Sequence, residues 1–438
     1  MSRRTRLVPG LGVVALLAAL LAVPGVAPAG ATEKSHLPRV CRRDASACVT
    51  VGVGEPIYLG TLLDRTQLNG QDATTAIQLA VDYLDGAFDG TDGQLLGHRV
   101  VLLNQEEGCS AKVAAINEQQ LLSDKHVVAV IGTTCSSAAL GTAARAFSAD
   151  RIPLVSPSNT APALTDPKIH ERYYFRVSWN DKIQAAVDAN FVGTQGWDQV
   201  AVVSDPTDAY SAQLGQAFID ATRRNQGRGV VVDASKGADV QAIVDQVAAS
   251  SPQMIYLTAL PPFCIDVARA LRSATATSRL PMLVSEACAD KNFLEQLGPL
   301  SDGVYSSGPD FSFYSDNAFY RTVFLDAYRR RAGIDPPTAF HAQAFDAAEI
   351  VFGAIRRAAV GRPGGELVIE RRNLRNALLR TSQYPGLSGL LTCNENGDCA
   401  QNVRIAIYRA PGWPTDSQAN ATKVFSQSLS LSQLNSSD

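Results

Sequence analysis

Beyond its N-terminal region, the chain alternates short runs of β-branched and other apolar residues with longer stretches that carry apolar residues at helical spacing. In DATTAIQLAVDYLD (72–85), for example, Ile77, Val81 and Leu84 fall on one helical face. Alternation of this kind is typical of a parallel β-sheet covered by helices. The predicted strands of this first block are IYLGTLL (57–63), RVVLLN (99–104), VVAVIG (127–132) and IPLVS (152–156).

A second block with the same pattern follows YYFRVS (173–178). After it come two helical stretches near 316–331 and 339–360 and a last strand pair, LSGLLTC and VRIAIYR. These predict two α/β lobes that share the C-terminal elements. Because ligands bind beyond the carboxyl ends of parallel strands, two facing lobes would enclose a cleft that closes by a hinge. The predicted strands of the second block are QVAVVS (199–204), GVVV (229–232), QMIYLT (253–258) and PMLVS (281–285).

The first 31 residues have the layout of an export signal. Arg3, Arg4 and Arg6 form a basic start, Leu11 to Val23 an apolar run, and Ala29-Gly30-Ala31 a cleavage site. The apolar run is shorter than the ~20 residues that a membrane-spanning helix needs. We therefore expect an exported, soluble product.

The pattern and the leader together divide the chain into five parts. We expect a signal peptide at 1–31, an N-terminal extension at 32–49, a first lobe formed by 50–175 and 310–388, a second lobe formed by 176–309 and 389–412, and a disordered tail at 413–438 that is rich in Ser, Asn and Gln.

The composition, with 46% hydrophobic and 18% charged residues, is that of a globular protein. The formal net charge is −3, and loss of a leader with three arginines and no acids lowers it by three more, to about −6. A mildly acidic chain without a basic run has no electrostatic footprint for nucleic acid. We therefore predict no nucleic-acid partner.

Eight cysteines in an exported chain indicate disulfides, and eight allow 105 connectivities. Spacing favours four pairs: two that close short loops and two whose members each follow a predicted strand. No C-x-x-C or H-x-x-x-H spacing supports the alternative of a metal site, so none is predicted. The favoured pairs are Cys41 with Cys48, Cys109 with Cys135, Cys264 with Cys288, and Cys393 with Cys399.

Motifs of common enzymes are missing from the sequence. It has no G-x-S-x-G elbow, no H-E-x-x-H and no phosphate-binding G-x-x-x-x-G-K-[ST], and no cofactor is predicted. A nucleophilic Cys135 with one of the five scattered histidines stays open as a hydrolase hypothesis, as does Ser136. A disulfide at Cys135 would exclude the cysteine version.

Two loops rich in small polar residues follow strands of the first block. VIGTTCSSAAL (130–140) enters a helix, and unsatisfied N–H groups at a helix N-terminus attract carboxylates. The plainer interpretation is that Thr134 or Ser136 only caps the helix. VSPSNTAPALTD (155–166) is the second loop, and its alternative is a proline-rich turn. Since both loops follow strands of one sheet, we expect them to converge at the same edge.

These two loops, together with YYFRVSWNDKIQA (173–185), resemble extracytoplasmic solute-binding proteins of the leucine/isoleucine/valine-binding type, which serve ABC importers. The resemblance runs from about residue 50 to 410. It implies a two-lobed type I periplasmic-binding-protein fold, with two parallel α/β sheets joined by three crossovers near Phe175–Ser178, Ser306–Pro309 and Ser388–Thr392. It also implies an amino-acid ligand, an ABC permease as partner, and a monomer.

By resemblance, the two loops hold the α-carboxylate and α-amino group of the ligand. An aromatic residue of the second lobe closes over the ligand, and an acid after a later strand pairs with its ammonium. The matching residues in this chain are Ser136, Ser137, Ser158, Asn159, Thr160, Tyr210 and Glu286.

Each of these roles has a plainer alternative. Glu286 could be a solvated loop acid, Tyr210 an aromatic packed on the sheet, and Asn180 or Asp181 a helix cap rather than a ligand contact. The chain also departs from the family. Asn159 replaces a small residue, and PPFC (261–264) replaces a flexible turn that lines the side-chain pocket, so the ligand side chain need not be leucine-like.

The resulting hypothesis is a solute-binding protein that captures a small polar ligand, an amino acid, by hinge closure and delivers it to an ABC importer. The alternative is a secreted sensor of the same fold that signals to a membrane receptor. Cys41 follows Pro38-Arg39-Val40, which is not a lipobox, and surface anchoring stays open.

Overall fold

The computed structural model describes residues 37–410 and 422–435. The expected signal peptide and the first part of the expected tail lie outside these residues. Within them, none of the helices combines the length and the apolar character needed to cross a membrane.

The first of two large sheets has six strands in the order β3-β4-β2-β5-β6-β7. All neighbours are parallel except the short β3, which pairs antiparallel with β4. The central β5 is buried along its whole length because helices cover both faces of the sheet. The strands are β2 (Ile57–Leu63), β3 (Gln94–Leu95), β4 (His98–Glu106), β5 (Val127–Gly132), β6 (Leu154–Ser156) and β7 (Tyr174–Arg176), and β1 (Cys48–Val51) precedes them outside this sheet.

The second large sheet has seven strands in the order β18-β17-β12-β11-β10-β8-β9. Five of its strands are parallel, and β17 and β18 extend it antiparallel beyond β12. The strands are β8 (Gln199–Ser204), β9 (Arg228–Asp233), β10 (Met254–Leu257), β11 (Met282–Val284), β12 (Tyr305–Pro309), β17 (Asn402–Arg409) and β18 (Lys423–Ser430).

Two small sheets complete the strand set. β1 pairs with β14 (Leu367–Glu370), which also pairs with β13 (Ala359–Gly361), so the N-terminal segment is tied to late elements of the chain. A two-stranded ribbon joins β15 (Tyr384–Pro385) and β16 (Leu390–Leu391).

Helices connect the strands and cover the sheets. α13 packs against α2, and the two cover one face of the first sheet. The helices are α1 (Arg39–Arg43), α2 (Leu68–Asp82), α3 (Ala111–Ser123), α4 (Ser136–Ala138), α5 (Ala144–Ala149), α6 (Asp181–Thr194), α7 (Ala209–Arg224), α8 (Val240–Ala249), α9 (Phe263–Ser273), α10 (Lys291–Leu297), α11 (Phe311–Asp316), α12 (Leu325–Ala332), α13 (His341–Ala358), α14 (Arg371–Leu379) and α15 (Leu431–Asn435). A π-helical segment, Ala139–Ala143, joins α4 to α5, and another, Tyr320–Phe324, precedes α12.

The mixed α/β fold with parallel sheets agrees with the pattern of the sequence. The chain leaves the first sheet after β7, leaves the second after β12, and returns to the second with β17. The exact lobe boundaries stay a prediction.

The expectation of a disordered tail is wrong for residues 423–430. They form β18, which pairs with β17 and lays Phe425 and Leu429 against the core. Ser and Gln lower the hydrophobicity of the segment, but side chains alternate between the two faces of a strand, and only the face with Phe425, Gln427 and Leu429 is partly buried.

All four favoured disulfides are present: Cys41–Cys48, Cys109–Cys135, Cys264–Cys288 and Cys393–Cys399. The second and third pairs lie at the edges where strands of the two large sheets end, and they tie down the loops that follow.

Candidate functional site

The carboxyl ends of the two large sheets border a cleft of about 1130 Å³. Loops after β2, β4 and β5 line one side, and loops after β8, β9 and β10 line the other. This is the edge at which open parallel sheets bind ligands. The first of the two polar loops predicted from the sequence lines this cleft through Thr134, Cys135 and Ser137.

The loops after β5 and β6 meet, as their position after adjacent strands predicts. The hydroxyl of Ser158 donates to the carbonyl of Thr134 (2.9 Å), and that of Ser156 donates to the carbonyl of Thr133 (2.8 Å). These bonds fix the second loop to the first without using a ligand.

Asn159 also forms hydrogen bonds that join the two loops. Its amide nitrogen donates to the carbonyl of Thr133 (2.9 Å), and its amide oxygen accepts from the hydroxyls of Thr133 (3.0 Å) and Tyr174 (3.1 Å). The side chain is fully buried. Its amide is therefore occupied within the protein, and the larger residue at this position is explained by the bonds it makes between the loops.

Ser136 and Ser137 stand at the start of α4. The hydroxyl of Ser136 accepts from the backbone N–H of Ala161 (3.3 Å). The hydroxyl of Ser137 crosses the cleft: it donates to the carboxylate of Asp208 (2.5 Å) and accepts from the N–H of Ala209 (2.8 Å). Because Asp208 caps α7 of the opposite side, Ser137 holds the two sides together.

Glu286 lies two residues after the end of β11, at the centre of a buried hydrogen-bond chain. The hydroxyl of Tyr210 donates to one carboxylate oxygen (2.7 Å) and the amide of Gln184 donates to the other (2.6 Å). The indole N–H of Trp179 donates to the side-chain amide oxygen of Gln184 (2.6 Å), which fixes the orientation of that amide. Burial raises the pKa of Glu286, and the two donors offset part of that rise. Tyr210 and Glu286, which the resemblance assigns to separate ligand contacts, thus touch each other directly.

Asp181 has a different role from the helix cap that the sequence suggests for Asn180 or Asp181. Asn180 is the cap of α6, since its side chain accepts from the N–H of Lys182 (3.0 Å). Asp181 itself is fully buried, and neither carboxylate oxygen has a hydrogen-bond partner among the described residues. Burial raises its pKa well above the ordinary value, and the nearby Glu286 carboxylate raises it further. The signal was available: Asp181 and Gln184 are three apart and share a helical face.

Thr160 lies next to this carboxylate. Its carbonyl accepts from the N–H of Asp181 (2.9 Å), and its buried hydroxyl has no hydrogen-bond partner within residues 37–410 and 422–435. The hydroxyl is near enough to offset part of the rise in the pKa of Asp181. Thr160, Asp181 and Glu286 therefore gather acceptors at one buried point.

Glu107 is a second buried acid beside the cleft. One of its carboxylate oxygens accepts from the N–H of Cys135 (3.0 Å), and the other has no partner in the described part of the chain. Burial raises the pKa of Glu107 to about 8, with Asp64 and Glu106 adding to the rise. Nothing in the sequence singles out this residue, because an acid at the end of a strand has no distinctive pattern.

The nucleophilic role that the sequence leaves open for Cys135 is excluded by its bond to Cys109. Asp64 lies within 4.8 Å of both sulfur atoms, but sulfurs joined to each other offer no thiolate to a metal. The wall formed by Pro261, Pro262 and Phe263 borders the cleft, and the Cys264–Cys288 bond fixes it beside Glu286.

Residues 56–410 match the model of a protein family described as "Periplasmic binding protein". An amino acid binding protein of Pseudomonas aeruginosa PAO1 is 27% identical over 194 residues, which are 43% of this chain and 50% of that protein. The alignment thus spans about half the length of this relative.

Solved structures share the fold over most of the chain. The leucine binding protein LivK of Thermotoga maritima superposes with a TM-score of 0.71 at 21% identity, covering 86% of this chain and 99% of that one. LivJ of Streptococcus pneumoniae, in complex with isoleucine, gives 0.67 at 18% identity, with 86% and 99% covered. A solute binding protein of R. palustris in complex with benzoate gives 0.65 at 18% identity, with 86% and 96% covered. These likenesses establish the two-lobed type I periplasmic-binding-protein fold.

Proposed function

Because the chain belongs to the periplasmic binding protein family, we propose that it is an exported solute-binding protein that captures an amino acid between its lobes and delivers it to an ABC importer. The observation that carries the proposal is the pair of buried acids, Asp181 and Glu286. A buried carboxylate without partners is costly, and a ligand cation that supplies hydrogen bonds and charge removes that cost.

The ligand ammonium is assigned to the point between Thr160, Asp181 and Glu286. An ammonium has three donors, and the unpartnered carboxylate of Asp181 and the hydroxyl of Thr160 can accept two of them. Glu286 supplies the second negative charge, held in place by Tyr210 and Gln184. The positive charge of the ammonium favours the ionised carboxylate form of at least one of the two acids.

The ligand carboxylate is assigned to the loop that opens α4. The hydroxyl of Ser136 and the N–H groups at the start of the helix that continues to Ala149 are the donors that suit an anion. Ser158 positions the loop instead, since its hydroxyl donates to the carbonyl of Thr134 and its N–H donates to the hydroxyl of Ser156 (3.2 Å). The ligand side chain would extend into the cleft of about 1130 Å³, whose size fits amino acids larger than alanine.

Ligand capture would shift the protein toward a closed state. Ser137 bonds Asp208 and Ala209 across the cleft, and the N–H of Ala163 donates to the side chain of Gln213 (2.9 Å). A ligand that contacts both sides favours the arrangement in which these bonds exist, by its differential affinity for the closed and open states.

A thermal-shift screen of the mature protein against amino acids, amides and small carboxylic acids tests the proposal. A ligand at about a hundredfold its Kd stabilises the folded state by about 2.7 kcal/mol. We expect one or more amino acids to raise the melting temperature of the wild type and of the surface variant Asp220→Asn, and to leave that of Glu286→Gln unchanged. Stabilisation by carboxylic acids that lack an amino group, equal in wild type and Glu286→Gln, would contradict the ammonium assignment.

A further inference from the structure

A second concave site lies on the first sheet, away from the cleft. Its volume is about 500 Å³. The segments that border it precede β6 and β7 or belong to α5 and α14, so it lies at the amino ends of the strands, whereas the ligand cleft lies at their carboxyl ends. We call it the arginine hollow; its lining residues with long or charged side chains are Arg145, Arg151, Glu171, Arg172, Tyr173, Arg372 and Arg375.

The arginine hollow concentrates positive charge in a chain whose net charge is −3. Five arginines and one glutamate face it. Arg151 is neutralised by Asp44 (2.8 Å). The guanidinium groups of Arg145, Arg172 and Arg372 have neither a hydrogen bond nor an ion pair among the described residues, and Glu171 forms no ion pair there either.

Elsewhere on the described surface, some arginines have acidic partners. Arg269 pairs with Asp266 and Arg329 with Asp335. The arginine hollow differs because its cations face one another instead. Burial lowers the pKa of Arg375, and the neighbouring Arg172 lowers it further, which is the electrostatic sign of uncompensated charge.

Part of the hollow is held in a fixed shape. The guanidinium of Arg375 donates to the carbonyl of Arg172 (2.8 Å) and lies over the ring of Tyr173, 5.9 Å from its centre. The N–H of Tyr173 in turn donates to the hydroxyl of Ser148 (2.9 Å). A rigid floor with free guanidinium groups at its rim is suited to an anion with several oxygens, because a planar guanidinium donates in pairs to such groups.

We propose that the arginine hollow binds a phosphoryl group, either of a free phosphate compound or of an anionic lipid headgroup. A phosphoryl group carries up to two charges and presents three acceptor oxygens, so it can engage Arg145, Arg172 and Arg372 together. The hollow is large enough to hold such a group. Since it opens at the edge opposite the cleft, binding there leaves the ligand site free.

The test uses the mature protein, the double variant Arg145→Gln/Arg372→Gln and the control Arg99→Gln/Arg279→Gln, which removes two exposed arginines outside the hollow. All four positions are exposed, and neither arginine of the test variant has a partner whose loss would unfold the chain. One arm measures binding of inorganic phosphate and pyrophosphate by calorimetry near physiological ionic strength. There, the attraction between charges more than about 8 Å apart is largely screened by salt. The other arm measures flotation with phosphatidylcholine vesicles that contain or lack phosphatidylglycerol.

We expect wild type and control to bind in at least one arm, and the test variant to bind about tenfold or more weakly. Binding of soluble phosphate identifies a free phosphate compound, and binding only to vesicles with phosphatidylglycerol identifies a headgroup. Failure of the wild type in both arms would overturn the proposal. Equal losses in test and control variants would also overturn it, since they would show attraction by overall charge alone.

Discussion

Two buried carboxylates close together in the fold have opposite surroundings. Asp398 accepts from Arg176 at 2.5 and 3.1 Å and from the hydroxyl of Thr165 at 2.7 Å. Asp181, equally buried, has no hydrogen-bond partner for either oxygen among the described residues. Residues of the protein supply the hydrogen-bond donors of Asp398, whereas Asp181 needs a donor from a bound ligand.

The difference separates a structural charge from a binding charge. Burial alone would lower the pKa of Arg176, but the adjacent Asp398 raises it above its ordinary value, so this cation stays charged. The pair joins β7 to the segment before β17, where the chain passes between the sheets. Arg176 also lowers the pKa of Asp181 against the rise caused by burial, but it donates hydrogen bonds to Asp398 instead, and no cation among the described residues bonds Asp181 directly. This missing direct partner is the basis of the ammonium assignment.

Removing Asp398 should have the largest effect. Asp398→Ala leaves the fully buried Arg176 without its carboxylate, and such losses cost about 3–5 kcal/mol of unfolding free energy. Urea unfolding measures the loss. The control is Asp220→Ala, whose partner Arg223 is exposed and whose loss should cost about 0–1 kcal/mol. Equal losses of unfolding free energy in the two variants would show that the buried Asp398–Arg176 pair stabilises the fold no more than an exposed pair does.

Asp181→Asn should show the reverse pattern. Ligand affinity should fall by about 2–5 kcal/mol, thirtyfold or more, because the buried ammonium loses its carboxylate. The unfolding free energy without ligand should stay unchanged or rise, since no partner is lost and an unpaired buried acid is removed. Calorimetric titration and urea unfolding measure the two quantities. A destabilised variant that binds normally would make Asp181 a structural acid like Asp398.

Glu107 adds a pH test of the same idea. Its pKa is about 8 in the folded protein against 4.5 as the ordinary value, so its contribution to stability is complete below pH 4.5 and is lost as pH rises through 8. Glu107→Gln should gain unfolding free energy over the wild type across this window, by about 1 kcal/mol or more. The exposed Glu395→Gln is the control. A difference that is independent of pH would show that Glu107 does not hold a proton in the folded state.

Ser137→Ala should have the smallest effect. It removes the two hydrogen bonds that cross the cleft to Asp208 and Ala209, and one typical bond is worth about 1 kcal/mol. Affinity should fall about fivefold, with little change in the unfolding free energy. A loss as large as that of Asp181→Asn would show that the Ser137 hydroxyl binds the ligand directly, as the family resemblance implies.

Much of the fold follows from local pattern. The strands of both blocks were visible as apolar runs, and the disulfides as cysteines that close short loops or follow strands. β18 was missed because its burial depends on an edge that β17 offers, which no local window contains. A similar limit applies to the site. Glu286 and Tyr210 could be found by resemblance, but the isolation of Asp181 depends on what surrounds it after α6 packs.

The central claim is that a ligand ammonium lies between Asp181 and Glu286. The most direct test is a calorimetric cycle with the ligand found by screening, its analogue without the amino group, the wild type and Asp181→Asn. We expect the wild type to bind the amino compound thirtyfold or more tightly than its analogue, about 2–5 kcal/mol in binding free energy, and Asp181→Asn to lose most of this difference. A preference of equal size in both proteins would contradict it.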